Sequence, residues 1–458
     1  MRDFLRIGSV GRSLAAAALA VLSCGAAPQD FLRVKGPDIV DAKGKVFFIR
    51  GTNLGNWLNP EGYMFGFHKT TSAHLIDEAF RQMVGPETTD AFWRAFRANY
   101  VTEADIRFVA ETGSNTIRIP FHYRLFTNDP YLGGRSAQDG FALIDPVVGW
   151  CRKHGLRVIL DMHCCPGGQT GDNIDDSYGY PWLFTSEREQ KLYCEIWKRI
   201  AAHYANEPAV LGYDLMNEPI SSRLADKDEL NRRLEPVQRL VLEAIRTVDR
   251  RHIVLFAGAQ WNGNFAPLST TPCDDNLMYT CHRYWTPPDR IGDFVAFRDK
   301  VNRPMYMGET GHSTNGWYRA FTQTMEKNNI GWTYWPLKKP TNSSWLVFDL
   351  PEGWDAVVKF VDGDRSSYKA IQASRPDQAV ARAALMRYAA NCRFDASRPD
   401  AGYLEAVGLR VPESGVKNRE EGSDPNGGVV RRSSAAMSMR SSGSARRFAS
   451  PAAATPMS

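Results

Sequence analysis

The chain alternates between short apolar runs and longer amphipathic stretches over most of its length. Each apolar run is rich in β-branched or aromatic residues and has the length of a single buried strand. The candidate strands are residues 46–55, 115–121, 157–163, 210–218, 253–260, 277–284, 305–309 and 331–337. The amphipathic stretches, which predict helices, are residues 103–112, 144–154, 186–204, 227–249, 290–300 and 317–328.

The order of these elements predicts the fold class. Within 227–249, for example, Leu234, Val237, Val241, Ala244 and Val248 follow the spacing of one helix face. Eight strands that alternate with helices predict an α/β protein, a (β/α)8 TIM barrel. An open doubly wound sheet is the alternative, but no glycine-rich phosphate loop follows any candidate strand to support it.

The predicted domain organisation is one barrel with two additions. The catalytic barrel is expected to span residues 31–412. Residues 68–100 are too many for an ordinary connection after the first strand, so they predict a helical insertion. Residues 413–458 are rich in Ser, Ala and Arg and cannot bury enough apolar surface to fold. They predict a disordered tail, either simply solvated or able to bind an acidic partner.

The charge of the chain lies mostly at its two ends. The formal net charge is +5, but five arginines and no acidic residue follow residue 428. The first twelve residues add three arginines against one aspartate. The remainder is close to neutral, so the sequence predicts no nucleic-acid partner.

The N-terminus has the pattern of an export signal. Arg2, Arg6 and Arg12 precede an apolar stretch at 14–22 and a run of small residues. That stretch is too short to span a bilayer. Residues 1–26 therefore predict a signal peptide and an exported protein, either secreted or periplasmic. The alternative is a lipoprotein-type signal with a lipid anchor at Cys24, which would hold the protein at the cell surface.

Polar residues collect where the candidate strands end. Barrel enzymes place their sites at the carboxyl ends of the strands, and side chains two residues apart on a strand share a face. Six polar strand ends therefore predict a functional site. Its candidate residues are Arg118, His163, Asn217, Glu218, His282, Tyr284, Glu309 and Trp335.

Two of these residues, Glu218 and Glu309, predict the chemistry. Each ends a buried apolar run, where a carboxylate is costly unless it has partners or a task. Two carboxyl groups facing one site can serve as the acid and the nucleophile or base of glycosidic-bond hydrolysis. The sequence therefore predicts a glycoside hydrolase.

The motifs around these residues resemble glycoside hydrolase family 5, the cellulase family, in its exo-β-1,3-glucanase-like branch. The most specific are Asn217-Glu218-Pro219 and a glutamate, Glu309, ending strand seven. Arg-Gly-Thr-Asn-Leu-Gly-Asn-Trp at 50–57, Asp-Met-His at 161–163 and Pro-Gly-Gly-Gln at 166–169 support them. The resemblance implies a retaining enzyme that cleaves β-glucosidic bonds by double displacement.

The same resemblance implies individual roles. Glu218 would be the acid/base and Glu309 the nucleophile. Glu61 falls where this branch carries a substrate-binding glutamate, although Asn59-Pro60 before it departs from the branch pattern. A solvated loop carboxylate is the alternative for Glu61.

Physical reasoning adds expectations for the surroundings of the two carboxyls. Burial and the charge of Glu309 should raise the pKa of Glu218. Arg118 is expected to neutralise Glu309, although a structural ion pair with a strand aspartate is the alternative. Tyr284 can donate to Glu309. Asn217 is expected to donate to the sugar 2-hydroxyl or to cap a helix; facing the site beside Glu218 requires a bend after Met216.

The histidines and tryptophans leave choices open. His163 and His282 are expected to bind the sugar or to orient a carboxylate, with satisfied core histidines as the alternative. Trp335 is the candidate stacking platform for a pyranose ring. Five further tryptophans are open between cavity wall and packing: Trp57, Trp182, Trp261, Trp285 and Trp345.

Two other functions compete with this prediction. A metal-dependent hydrolase would use Asp161, His163, His282 and Glu309, but it usually needs closely spaced histidines, which are absent. A non-catalytic glycan-binding barrel is the other. We expect no cofactor or metal, a monomer, and a β-linked oligo- or polysaccharide substrate. That substrate is β-1,3- or β-1,4-glucan, with mannan or a glycosyl lipid as alternatives, and cleavage is exo if the insertion blocks one end of the cleft.

Overall fold

The computed structural model describes residues 30–413 of the 458-residue chain. The predicted signal peptide, with Cys24, and all but the first residue of the predicted tail lie outside the described residues. None of the helices in the described part is both long enough and apolar enough to cross a membrane.

The core of the molecule is a closed barrel of eight parallel strands, as predicted. A small antiparallel hairpin, β1 (Arg33–Lys35) and β2 (Asp38–Val40), precedes it. The barrel strands are β3 (Arg50–Asn53), β4 (Thr116–His122), β5 (Arg157–Cys164), β6 (Val210–Asp214), β7 (Ile253–Ala257), β8 (Leu277–His282), β9 (Met305–Glu309) and β10 (Gly331–Tyr334). Each strand pairs with the next, and β10 pairs with β3 to close the barrel.

The barrel strands are buried on both faces. One face packs inside the barrel and the other against helices, so the strands read as apolar runs rather than as alternating patterns. Five predicted strands are longer than the observed ones, namely 46–55, 210–218, 253–260, 277–284 and 331–337. In 210–218 the strand ends at Asp214 because the chain turns there to bring polar residues into the site.

Helices surround the barrel and continue beyond it. They are α1 (Ala73–Val84), α2 (Pro86–Tyr100), α3 (Glu103–Glu111), α4 (Asp139–Lys153), α5 (Glu187–Tyr204), α6 (Lys227–Arg246), the single turn α7 (Ala259–Asn262), α8 (Gly292–Val301), α9 (Asn315–Lys327), α10 (Trp354–Val361), α11 (Tyr368–Ser374), α12 (Gln378–Asn391) and α13 (Ala401–Ala406). A three-stranded sheet joins β11 (Lys338–Pro340), β12 (Leu346–Phe348) and β13 (Arg398–Pro399).

The predicted insertion after the first barrel strand is helical, and it forms α1 and α2. These helices pack against α10 and α12, which follow the barrel. An aromatic core joins the two pairs: the rings of Phe96 and Tyr388 lie 6.3 Å apart, and Phe65 stacks on Trp354. The insertion and the C-terminal helices therefore form one layer beside the barrel.

The N-terminal hairpin closes the amino end of the barrel. Leu32 and Ile39 are buried in one cluster with Ile159, Leu211 and Ile253, which point into the barrel. The interior is thus packed with side chains at this end. The opening lies at the carboxyl ends of the strands, where the polar residues were predicted to meet.

Candidate active site

A cavity of about 790 Å³ opens at the carboxyl ends of the strands. Eight of the nine predicted site residues line it: Glu61, His163, Asn217, Glu218, His282, Tyr284, Glu309 and Trp335. The ninth, Arg118, is fully buried on β4 and contacts Glu309 from below. The predicted convergence of the strand ends on one cavity is therefore observed, and the catalytic use of these residues stays a prediction.

Glu218 reaches the cavity through a turn after β6. Its backbone has φ of 48°, the left-handed region that non-glycine residues rarely adopt. The Asn217 N–H donates to the Met162 carbonyl over 3.3 Å, and Thr170 Oγ1 donates to the Glu218 carbonyl over 2.7 Å. This turn is the predicted bend after Met216, and it lets Asn217 and Glu218 face the cavity together.

The two glutamates lie close together in different surroundings. One carboxyl oxygen of Glu218 and one of Glu309 are within 4.8 Å of each other. Glu309 accepts from Arg118 Nη1 at 2.7 Å and from the Tyr284 hydroxyl at 3.1 Å. Glu218 Oε1 lies 2.8 Å from Nδ1 of His282. Burial, followed by the charge of Glu309, raises the pKa of Glu218 well above its usual range.

Arg118 makes both of the contacts predicted as alternatives, one with Glu309 and one with strand aspartates. Its guanidinium neutralises Glu309 and also forms ion pairs with Asp161 (3.0 Å) and Asp214 (2.9 Å), all within the barrel. Nη2 also donates to the Asn217 Oδ1 over 3.0 Å. Burial raises the pKa of Asp161 to about 7 and of Asp214 to about 8, while the Arg118 guanidinium acts in the opposite direction on both.

His163 orients Asn217. Since the Asn217 Oδ1 accepts from Arg118, the nitrogen that lies 3.2 Å from His163 Nε2 is the amide donor. His163 Nε2 therefore accepts, and its Nδ1 carries the hydrogen that is donated to Asp161 over 2.7 Å. Burial lowers the pKa of His163 to about 3, so the ring is neutral. Asn217 does not cap a helix here; two partners fix its amide.

His282 orients a carboxylate, one of the two predicted roles. Burial lowers its pKa well below the usual range, and the charge of Arg118 lowers it further. The ring that touches Glu218 is therefore neutral. An imidazolium beside Glu218 would favour the carboxylate, and a neutral ring lacks that charge.

Glu61 and Trp335 form another wall of the cavity with Tyr63. Glu61 is only 6% exposed, so the solvated-loop interpretation is wrong. Burial, and then the charge of Glu309, raises its pKa to about 8. Trp335 is 2% exposed; its indole stacks on His163 at 5.4 Å, and Nε1 donates to the Tyr63 hydroxyl over 2.6 Å. Its role as a stacking platform stays a prediction.

The remaining tryptophans divide cleanly. Trp57 and Trp345 are buried and pack in the core, whereas Trp261 and Trp285 line the cavity. Trp285 is 79% exposed at the mouth. Trp182 is exposed outside the cavity lining.

A left-handed turn presents Trp261. Gln260, Trp261 and Asn262 have φ of 48°, 56° and 59°, a conformation that costs roughly 1–2 kcal/mol per residue. The Trp261 N–H reaches the Pro219 carbonyl at 3.4 Å, so the indole lies beside the turn that carries Glu218. The Arg223 guanidinium lies over its ring at 5.5 Å and donates to Asp172 over 3.0 Å.

Sequence reasoning missed several cavity residues on loops. Loops have no hydrophobic periodicity, so only their neighbourhood to a strand end could have drawn attention to them. None of the described residues of the predicted insertion, 68–100, lines the cavity, and exo cleavage through a cleft that the insertion blocks at one end stays a prediction. The missed residues are Tyr63, Asp172, Asn173, Ile174, Arg223, Gln260, Gly263, Arg283, Thr286 and His312.

Two sets of side chains have the spacing of metal ligands, but their partners disfavour that use. One set is Asp161, His163 and Glu309, and the other is Glu218, His282 and Glu309. Asp161 and Glu309 already surround the Arg118 guanidinium, whose charge would repel a second cation. The donor set therefore fits acid–base chemistry better than metal binding.

Comparison with known proteins agrees with this geometry. Residues 76–340 match the family model described as cellulase, glycosyl hydrolase family 5. A β-xylosidase of Phanerodontia chrysosporium is 31% identical over 257 residues, which are 56% of this chain and 52% of that protein. A glucan 1,3-β-glucosidase of Candida oleophila is 35% identical over 199 residues, 40% of this chain and 44% of that one.

These curated relatives are longer than the matched region. The chain spans about half the length of the curated relatives that it matches. Among solved structures, the rutinosidase from Aspergillus niger superimposes with a TM-score of 0.52 at 19% identity, covering 65% of this chain and 92% of that one. This similarity concerns the fold.

Proposed function

The chain belongs to glycosyl hydrolase family 5, and from that premise we propose that it hydrolyses β-glucosidic bonds of a β-glucan with retention of configuration. The observation that carries the proposal is the pair Glu218 and Glu309, whose carboxyl oxygens approach within 4.8 Å. A retaining pair stands roughly 5–5.5 Å apart, whereas an inverting pair needs roughly 6.5–9.5 Å to admit water.

In the first step Glu309 attacks the anomeric carbon. The glycosidic bond breaks, its electron pair goes to the departing oxygen, and Glu218 delivers its proton there. The surroundings suit this division of labour. Arg118 and Tyr284 hold the Glu309 carboxyl in place by hydrogen bonds, while burial and the charge of Glu309 favour the protonated form of Glu218.

In the second step water replaces the enzyme on the sugar. Glu218, now a carboxylate, takes a proton from water as its oxygen attacks the anomeric carbon, and Glu309 leaves as a carboxylate. Formation of the ester removes the negative charge of Glu309. That charge is one cause of the raised pKa of Glu218, so the pKa falls when Glu218 must act as base.

The sugar at the reacting centre meets donors that are already fixed. Asn217, held by Arg118 and His163, can donate its second amide hydrogen to the 2-hydroxyl, a contact that strengthens in the transition state. Glu61 and Tyr63 face the same space. The departing portion lies on the side of Trp261, since that residue is tied to Pro219 beside the acid.

We propose a β-glucan as the substrate, and β-1,3 linkages as the bonds that the enzyme prefers to cleave. The motifs of the exo-β-1,3-glucanase-like branch and the relative named glucan 1,3-β-glucosidase support this choice. We also propose that the protein acts outside the cytoplasm as a monomer. The sequence pattern of residues 1–26 supports export, as a secreted, periplasmic or lipid-anchored enzyme.

The test is hydrolysis of laminarin, carboxymethyl-cellulose, mannan and an aryl β-glucoside, with Glu309→Ala measured alongside. We expect glucose or short oligomers from laminarin and none from the variant. A correctly folded wild type that acts on none of these substrates would overturn the proposal and favour the glycan-binding alternative.

A further inference from the structure

Tyr180, which is half-buried, and Trp182, which is exposed, form an aromatic pair outside the cavity. Their ring centres lie 4.8 Å apart with planes tilted by 55°, and Trp182 is 53% exposed. Both belong to the loop between β5 and α5, and neither lines the cavity. Two aromatic rings in contact at the surface, unlike a single exposed side chain, offer a continuous apolar face to a ligand.

The pair is rigidly presented. Trp182 begins a 3₁₀ turn, Trp182–Phe184, whose next two residues, Leu183 and Phe184, are buried in the core. Its backbone N–H donates to the Gly167 carbonyl over 3.1 Å. The Tyr180 hydroxyl donates to Asp226 over 2.9 Å. Rings that are fixed before binding lose little conformational entropy on contact with a ligand.

The pair continues the cavity surface. Two of the contacts between the loop that carries it and the loop after β6 lead outward from the cavity. At the cavity rim Arg223 donates to Asp172 over 3.0 Å, and farther out Tyr180 donates to Asp226. Arg223 and Asp226 are three residues apart, so their Cα atoms are separated by at most about 11 Å.

This surface lies next to the acid. Ile220, two residues after Glu218, donates its N–H to the Gln169 carbonyl, and Thr170 donates to the Glu218 carbonyl. Both partners are on the loop that carries the aromatic pair. The pair therefore adjoins the side of the cavity from which the leaving portion of a substrate departs.

We propose that Tyr180 and Trp182 form a secondary binding surface for a β-glucan chain, beyond the leaving-group side of the cavity. The inference rests on the proposed function, and continuity with the cavity identifies the occupant. The flat C–H faces of pyranose rings pack on aromatic rings, while Asp226 and Arg223 offer polar partners for hydroxyls. The apolar area of two rings is far smaller than the area that a stable protein–protein interface buries, so a protein partner fits this surface less well.

The test is retention in native gels that contain laminarin, measured in a Glu309→Gln background so that the polymer survives. We expect Tyr180→Ala/Trp182→Ala to bind about tenfold more weakly, equivalent to about 1.4 kcal/mol. Trp182→Phe should retain most of the binding because it keeps a flat ring. Tyr368→Ala is the matched control, since Tyr368 is 78% exposed on α11 and should not change retention.

The outcomes separate the two proposals. If the double variant, with the circular dichroism and thermal midpoint of its parent, is retained equally, the secondary surface is wrong. The proposed function then still stands on aryl β-glucoside hydrolysis by the wild type. If the Glu309→Gln parent is not retained and the wild type hydrolyses no β-glucoside, the secondary surface and the proposed function are both wrong.

Discussion

Arg118 donates to Glu309 over 2.7 Å, while Glu218, within 4.8 Å of Glu309, meets the neutral ring of His282. The Arg118 cation thus compensates the charge of Glu309, whereas no cation among the described residues contacts Glu218. This asymmetry separates the acid from the nucleophile, since the two glutamates are chemically alike and little exposed, with 13% of the Glu218 side chain and 7% of the Glu309 side chain accessible. It also makes the site sensitive to particular substitutions.

Arg118→Met should destabilise the fold as well as abolish activity. The substitution leaves Asp161, Asp214 and Glu309 buried without their cation, which costs about 3–5 kcal/mol of unfolding free energy. Urea unfolding measures it. The control is Arg50→Met, which removes the exposed pair with Glu326 and should cost less than about 1 kcal/mol. Equal costs for the two variants would contradict the central role of Arg118.

Azide should report the two roles of the glutamates through product stereochemistry. In Glu309→Ala, azide can occupy the space of the lost carboxylate and attack once, giving an α-glycosyl azide. In Glu218→Ala, an activated aryl β-glucoside still forms the glycosyl ester, and azide attacks it to give a β-glycosyl azide. Proton NMR distinguishes the anomers. The same anomer from both variants would show that the assignment is wrong.

The contact between His163 and Asn217 should appear as coupling in kcat. Asn217→Ala should lower kcat about a hundredfold, near 2.7 kcal/mol, because a contact that strengthens in the transition state is lost. His163→Ala should lower kcat about tenfold, because Asn217 loses one of the partners that fix its amide. The double variant should resemble Asn217→Ala. Fully additive effects in the cycle would mean that His163 acts elsewhere.

Glu61 should make the stability of the protein depend on pH. Its pKa of about 8 in the fold exceeds the value of 4.5 expected in the unfolded chain. Between these values the native state holds a proton that the unfolded state has released, so stability falls as pH rises from 4.5 to 8. Because glutamine does not ionise, the Glu61→Gln variant should be spared up to about 4 kcal/mol of this fall in the free energy of unfolding.

Unfolding of wild type and Glu61→Gln at pH 5 and pH 8 measures the effect. The variant should gain stability relative to the wild type only at the higher pH. Glu352→Gln is a suitable control, because the Glu352 side chain is 93% exposed. A Glu61→Gln variant with the pH dependence of the wild type would mean that Glu61 ionises as freely in the fold as in the unfolded chain.

The barrel was predictable because a parallel strand that is buried on both faces consists of an uninterrupted run of apolar residues. The same property located the site, since Glu218 and Glu309 interrupt such runs at their ends. The bend at Glu218 also followed from the sequence, because Asn217 and Glu218 are adjacent and strand neighbours face opposite ways. Local spacing was sufficient for these inferences.

The rest depends on contacts between segments distant in sequence. Trp57 and Trp261 look alike in the chain, yet one packs in the core and the other lines the cavity after a left-handed turn. The position of the insertion was predictable, but its packing against α10 and α12 was not, because those partners lie far along the chain. Loop residues such as Arg223 carry no periodic signal.

The hairpin β1–β2 closes one end of the barrel, so that only the end with the cavity is open. Since Leu32 and Ile39 seal the amino end, the chain enters the domain on the side opposite the cavity. Phe31 therefore lies at the back of the domain, away from the cavity. A solid support or fusion partner attached at this point would leave the open mouth accessible, even to a polymer too large to diffuse behind the domain.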